Sequence, residues 1–179
     1  MLITKTELEG CVILKPTIFR DERGYFFESF NKTTFKKHIG LDLNFVQDNE
    51  SKSSKGVLRG LHFQRGEHAQ AKLIRVVKGK ILDVVVDVRP SSPTYGKHLS
   101  IILSAKNKKQ LYMPPGFAHG FVTLSKQAVV NYKCDNYYNK DSEGGIIFND
   151  TTLNINWVLD HKKLIISKKD LSLPSFNNI

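Results

Sequence analysis

An all-β fold, a closed or sandwiched antiparallel structure with a few short helices, is predicted by three features of the 179-residue sequence: a dominant period of two, turn residues at short intervals, and scarce helical periodicity. The period is clearest where Leu82, Val84, Val86 and Val88 alternate with Ile81, Asp83, Val85 and Asp87. Successive strand side chains point to opposite faces, so one face is apolar and the other carries two carboxyl groups. Similar short apolar runs occupy Cys11 to Leu14, Tyr25 to Phe30, Val57 to Phe63, Leu73 to Val77, Leu99 to Leu103, Phe121 to Leu124 and Val129 to Tyr132. Between them stand Gly79-Lys80, Arg89-Pro90-Ser91-Ser92-Pro93, Ala105-Lys106-Asn107, Pro114-Pro115-Gly116 and Asn139-Lys140-Asp141, which supply the fixed or positive φ that turns require. Helix is expected only over Lys32 to His38 and around Lys168 to Leu171. Pro174 to Ile179 reads as a loose tail. The length fits one domain over residues 1–179, with no repeat or linker.

Hydrophobic residues make up 40% and charged residues 25% of the chain, an ordinary globular composition. No apolar run approaches the ~20 residues that cross a bilayer, so no membrane association is expected. Met1 to Leu14 lacks the basic start, apolar centre and small-residue cleavage site of a secretory signal, and a cytoplasmic location follows as an expectation. Cys11 and Cys134 stand far apart outside any C-x-x-C pattern and read as core residues. The net charge of +10 would attract nucleic acid, an acidic membrane or a small polyanion alike. Much of the lysine excess falls in turn-like stretches (Lys106, Lys108 and Lys109, then Lys162, Lys163, Lys168 and Lys169), which argues against nucleic acid. Arg23, Arg59 and Arg75 lie in or beside strand-like segments, where planar guanidinium groups hold phosphate bidentately. A small phosphorylated ligand fits this distribution better.

The run Val57-Leu58-Arg59-Gly60-Leu61-His62-Phe63-Gln64 interrupts an apolar strand with two strong polar groups. Strict alternation puts Arg59 and His62 on opposite faces, but a bulge at Gly60 would turn both toward one cavity. A satisfied core histidine is the bland reading of His62. Lys72 begins another apolar segment, where burial is costly unless the ammonium meets an anion. Tyr132 shares a face with Val130 and Ala128, so it is either a packing residue or a phenol directed inward as a proton donor. His119 sits among the prolines and glycines of Pro114 to Phe121, which would present one imidazole. A metal site is disfavoured: metal-binding barrels of this kind place two histidines one residue apart with a glutamate soon after, whereas Phe63 and Gln64 follow His62, and His68 beside Glu67 reads as a loop residue.

These residues bring a family into view. The chain resembles the dTDP-4-dehydrorhamnose 3,5-epimerases, cupin-type jelly rolls, in Phe19-Arg20-Asp21-Glu22-Arg23-Gly24-Tyr25-Phe26-Phe27-Glu28, Phe45-Val46-Gln47-Asp48-Asn49, Arg59 to Gln64, Gly116 to Phe121 and Tyr132-Lys133. Asn136-Tyr137-Tyr138, Asn149-Asp150 and Ser167-Lys168-Lys169-Asp170 extend the resemblance over nearly the whole chain, in order. It implies a homodimer that uses no metal and no cofactor and acts on a 4-keto-6-deoxy hexose linked to dTDP. It further implies His62 as the base, Asp170 as its partner, Tyr132 as the acid on the opposite sugar face and Lys72 at the enolate oxygen. Arg23, Glu28, Gln47, Asn49, Arg59, Lys72, His119, Glu143 and Lys169 match its substrate contacts, and Tyr138 its base-stacking aromatic. Departures occur near the end: Val158 follows Trp157 where the family commonly has proline, and the loop Leu159 to Lys163 is one residue longer, which makes Lys168 an alternative to Lys169. Some relatives invert one centre rather than two. Two other classes stay open: a metal-dependent cupin, and a non-catalytic sugar-nucleotide binding module that would leave His62 and Tyr132 without purpose.

Overall fold

The computed structural model describes all residues, Met1–Ile179. Its strands are β1 (Leu2–Lys5), β2 (Val12–Lys15), β3 (Phe19–Asp21), β4 (Gly24–Phe26), β5 (Gln47–Ser54), β6 (Leu58–Gln64), β7 (Lys72–Lys78), β8 (Lys80–Asp87), β9 (His98–Ser104), β10 (Gln110–Met113), β11 (Phe117–Thr123), β12 (Gln127–Cys134) and β13 (Glu143–Gly145). Helix is confined to α1 (Lys32–Ile39), α2 (Lys168–Leu171) and three short 3₁₀ turns. Asn31 caps α1 by accepting from the Thr34 amide, and Gly40 closes it at φ +80°. No helix is long and apolar enough to cross a membrane.

All strand pairs are antiparallel. They build a six-stranded sheet, ordered β1-β2-β10-β7-β12-β5, a five-stranded sheet, ordered β13-β6-β11-β8-β9, and the separate hairpin β3-β4. The two large sheets lie face to face in the jelly-roll manner of the cupins, with Ile74, Val76, Leu111 and Val130 of one packed against Ile81, Val85, Leu103 and Phe121 of the other. A second core lies behind the five-stranded sheet, where Leu82, Val84, Val86 and Val122 meet Ile146, Phe148, Leu153, Ile155 and Trp157. A third lies behind the six-stranded sheet, where Phe35 of α1 joins Leu14, Leu73 and Tyr112. Both faces of β8 are therefore buried, which is why its sequence is apolar almost without interruption.

The tail is a correction. Phe176, only 6% exposed, sits in the second core, and its amide donates to Asp150 Oδ2 at 2.8 Å. Pro174 accepts from the Ile147 amide at 2.8 Å, so the terminal residues cover the five-stranded sheet rather than hang free. Cys11 and Cys134 are buried free thiols.

Candidate active site

Between the two sheets opens a cavity of about 590 Å³. Its walls come from β6 and β11 on one side, from β5, β7 and β12 on the other, and from Glu143 and the segment Ile165–Asp170 at the rim. His62, Lys72, Tyr132, Asp170, Arg59, His119, Tyr138, Glu143 and Lys169 all line it.

The bulge that the sequence required is present. His119 pairs with His62 but Phe121 pairs with Arg59, so three steps along β6 span two along β11, and the surplus residue lets both Arg59 and His62 reach the cavity. Only glycine fits there: Gly60 has φ +117°, and a Cβ on it would stand 2.5 Å from Gly120 Cα and 2.7 Å from the His119 carbonyl oxygen.

His62 Nε2 lies 3.0 Å from Asp170 Oδ1, while Asp170 Oδ2 accepts from the Gly60 amide at 3.1 Å. Ser167 caps α2 by accepting from the Asp170 amide, and so fixes the carboxylate's backbone. Burial raises the Asp170 pKa, but hydrogen bonds from His62 and the Gly60 amide outweigh it and leave the carboxyl below its usual range. An ionised Asp170 can only accept, so the proton of neutral His62 sits on Nε2 and the lone pair of Nδ1 is available as a base. Lys169 Nζ donates to Glu143 Oε2 at 2.6 Å and lines the cavity, whereas Lys168 does not line it.

Lys72 and Tyr132 stand on the other wall, β7 and β12. Lys72 is 9% exposed, and its ammonium makes no hydrogen bond or ion pair within the chain. Burial lowers its pKa, against the opposing influence of Cys134, Glu143 and Asp83. Burial likewise raises the Tyr132 phenol. At the rim Tyr138 donates to Glu143 Oε2 at 2.8 Å, so one carboxylate holds both Tyr138 and Lys169. Burial acts to raise Glu143, but those two donors prevail and lower its pKa. Arg59 Nε donates to Ser53 Oγ at 3.1 Å, and His119 Nε2 lies 2.9 Å from Asp83 Oδ2. Gln47 and Asn49 stand beside the cavity wall on β5: Gln47 accepts from the Tyr138 amide at 3.1 Å, and Asn49 is opposite Tyr132.

Arg23, Glu28 and Arg75 depart from expectation. Arg23 is ion-paired to Asp21 on the exposed β3-β4 hairpin, Glu28 accepts from Asn31, and neither lines the cavity. Arg75 stacks over Phe27 beside a groove outside it. The expectations had missed Ser53, which anchors Arg59, and Asp83, which backs His119; Asp83 carried a legible signal, a carboxyl group in an apolar row. No group of three or more histidine, cysteine, aspartate or glutamate side chains is arranged to hold a metal ion.

The model of the dTDP-4-dehydrorhamnose 3,5-epimerase family matches residues 5–178. The chain belongs to this family. The family's enzyme from Salmonella typhimurium is 52% identical over 174 residues, 97% of this chain and 94% of that protein. The crystal structure of the enzyme from Elizabethkingia anophelis superposes with a TM-score of 0.96 at 54% identity, covering 99% of this chain and 97% of that one. The Legionella pneumophila epimerase, solved in complex with dTDP-4-keto-L-rhamnose, gives 0.95 at 44% identity, covering 99% and 94%. The two-sheet fold is thus shared with solved epimerases of this family.

Proposed function

We propose that the chain epimerises C3 and C5 of dTDP-4-dehydro-6-deoxy-D-glucose to give dTDP-4-dehydro-L-rhamnose. The observation that carries the mechanism is that the His62–Asp170 pair and Tyr132 stand on facing sheets of one cavity, with the unpaired Lys72 on the Tyr132 side. A proton on a carbon beside a ketone is acidic because the electron pair left behind delocalises onto the carbonyl oxygen. His62 Nδ1 removes the C5 proton, the electron pair moves to O4, and the Lys72 ammonium stabilises the enolate. The Tyr132 hydroxyl then delivers a proton to the opposite face of C5, and the enolate reverts to the ketone with that centre inverted. Solvent restores both groups, and the same cycle at C3 completes the conversion. A lone base that returned its own proton would leave the configuration unchanged, so placement on opposite walls is the essential feature.

In this reading Tyr138 stacks on the thymine. Arg59 and Lys169 neutralise the diphosphate, Gln47 and Asn49 hold the nucleoside end, Glu143 fixes the rim, and His119 contacts the sugar. The chain acts as one domain and as a homodimer. Arg23 and Glu28 reach a substrate from the hairpin of a second copy, a role supported by that hairpin's exposure, with Phe19, Tyr25 and Phe26 all more than half exposed, and by the free edge of β1. A nucleotide-linked substrate suits a cytoplasmic enzyme.

The test is NMR of dTDP-4-keto-6-deoxyglucose in heavy water with chelator-treated protein, wild type against His62→Ala. Deuterium should enter C3 and C5 with wild type only. Incorporation at one carbon would reduce the activity to single-centre epimerisation, and none at either would overturn the reading.

A further inference from the structure

We infer that Asp83 is a positioning residue for this reaction: it clamps His119 so that the free ring nitrogen, Nδ1, faces the sugar beside His62. The inference rests on the function proposed above and extends it to a residue outside the cavity wall.

Asp83 has no accessible surface. Its neighbours along the same face of β8 are Ile81 and Val85, both wholly buried in the core between the sheets. A carboxyl group in that row is anomalous, and it is incompletely satisfied: Oδ2 meets His119 Nε2 at 2.9 Å, while Oδ1 has no hydrogen-bond partner. A buried polar atom without a partner costs stability, and an apolar residue of similar volume would pack the row without that cost. What Asp83 does contribute is one hydrogen bond, to the imidazole of a histidine that lines the cavity, besides a lesser electrostatic influence on Lys72.

The arrangement repeats the one beside it. His62 and His119 are direct partners across β6 and β11, and each presents Nε2 to a carboxyl oxygen, at 3.0 Å from Asp170 and 2.9 Å from Asp83. With Nε2–H donating backward, Nδ1 of each ring is left for the cavity side. His119 Nδ1 has no partner within the chain and accepts from a hydroxyl of the bound sugar. A sugar held there is kept at a fixed distance from His62 while a proton is removed.

The experiment compares Asp83→Leu and Asp83→Asn with wild type on three readouts: deuterium exchange at C3 and C5, melting temperature, and the imidazole tautomer of His119 by ¹⁵N NMR. Asp83→Leu should lower kcat/KM at least tenfold while the melting temperature holds or rises, and the Nε2–H signature of His119 should be lost. Asp83→Asn, which keeps an acceptor oxygen, should recover part of both the tautomer signature and the rate. If Asp83→Leu keeps wild-type kcat/KM, or loses activity only in proportion to a lowered melting temperature, the inference is overturned and the epimerase reading stands. Wild type without exchange would instead overturn the function itself, and the inference with it, even with the tautomer signature intact.

Discussion

Replacing Lys72 with methionine should abolish most of the turnover and stabilise the protein. The side chain is 9% exposed and its ammonium meets no carboxylate, so the folded state carries an incompletely compensated charge. Methionine follows the same unbranched path without that charge. Relief of a poorly compensated buried ion is worth on the order of 1–3 kcal/mol, within the range seen when buried charges give way to apolar groups. For a chain of this length each kcal/mol moves the melting temperature by about 2–4 °C, so a rise of roughly 2–12 °C is expected. Loss of one group that stabilises a developing oxyanion lowers kcat by about 10²–10³-fold. The pH dependence supplies a separate check. Burial depresses the Lys72 pKa, so between its folded value and the unfolded value of about 10.4 the unfolded chain binds more protons, and stability rises with pH across that window. Calorimetry from neutral to alkaline pH should show this slope in wild type and its loss in Lys72→Met. A variant that melts lower than wild type, or turns over within threefold of it, would refute the reasoning.

Val158 holds φ +56° at an exposed site, a conformation costly for a β-branched residue; Val158→Gly should gain about 0.5–1.5 kcal/mol, read as a higher denaturation midpoint. Phe176→Ala should cost about 2–4 kcal/mol in a urea titration, because its ring fills the core behind the five-stranded sheet; a cost under half a kcal/mol would restore the loose tail. Asp87 accepts from Arg89, Ser92 and Thr94, and although burial opposes them these bonds pull its pKa down to about 2. Its contribution is therefore complete above the unfolded value of about 3.9 and lost as pH falls toward 2, so Asp87→Asn should flatten the acid limb of the stability profile.

Strands whose two faces meet two cores were plain in the sequence, because an apolar run bounded by turn residues has few other uses; β7 and β8 are of this kind. β5 was illegible for the opposite reason. Its residues, Gln47 to Ser54, are all polar or charged, and its inward-facing Ser51 and Ser53 meet the cavity and Arg59 rather than a hydrophobic core. The emptiness that makes a binding site removes the periodicity that announces a strand. Gly60 showed that a bulge was needed but not that Gly120 would have to match it from the next strand. Of the residues that the resemblance nominated, those on the two sheets and on α2 gather at or beside one cavity, whereas Arg23 and Glu28 lie on the hairpin that no contact within one chain brings there. The tail was misread because short polar residues around one phenylalanine look solvent-borne until the surface that receives the ring is known.

The surplus residue in β6 ties the chemistry to the path of the backbone as well as to composition. Were the surplus residue instead taken up into an unbroken ladder with β11, period-two alternation over the three steps from Arg59 would carry the imidazole to the far side of the sheet, with every functional side chain still encoded. Activity in this framework thus rests on an irregularity of the backbone, and a change at Gly60 that forced the strand straight would silence the site while leaving every catalytic side chain in the sequence.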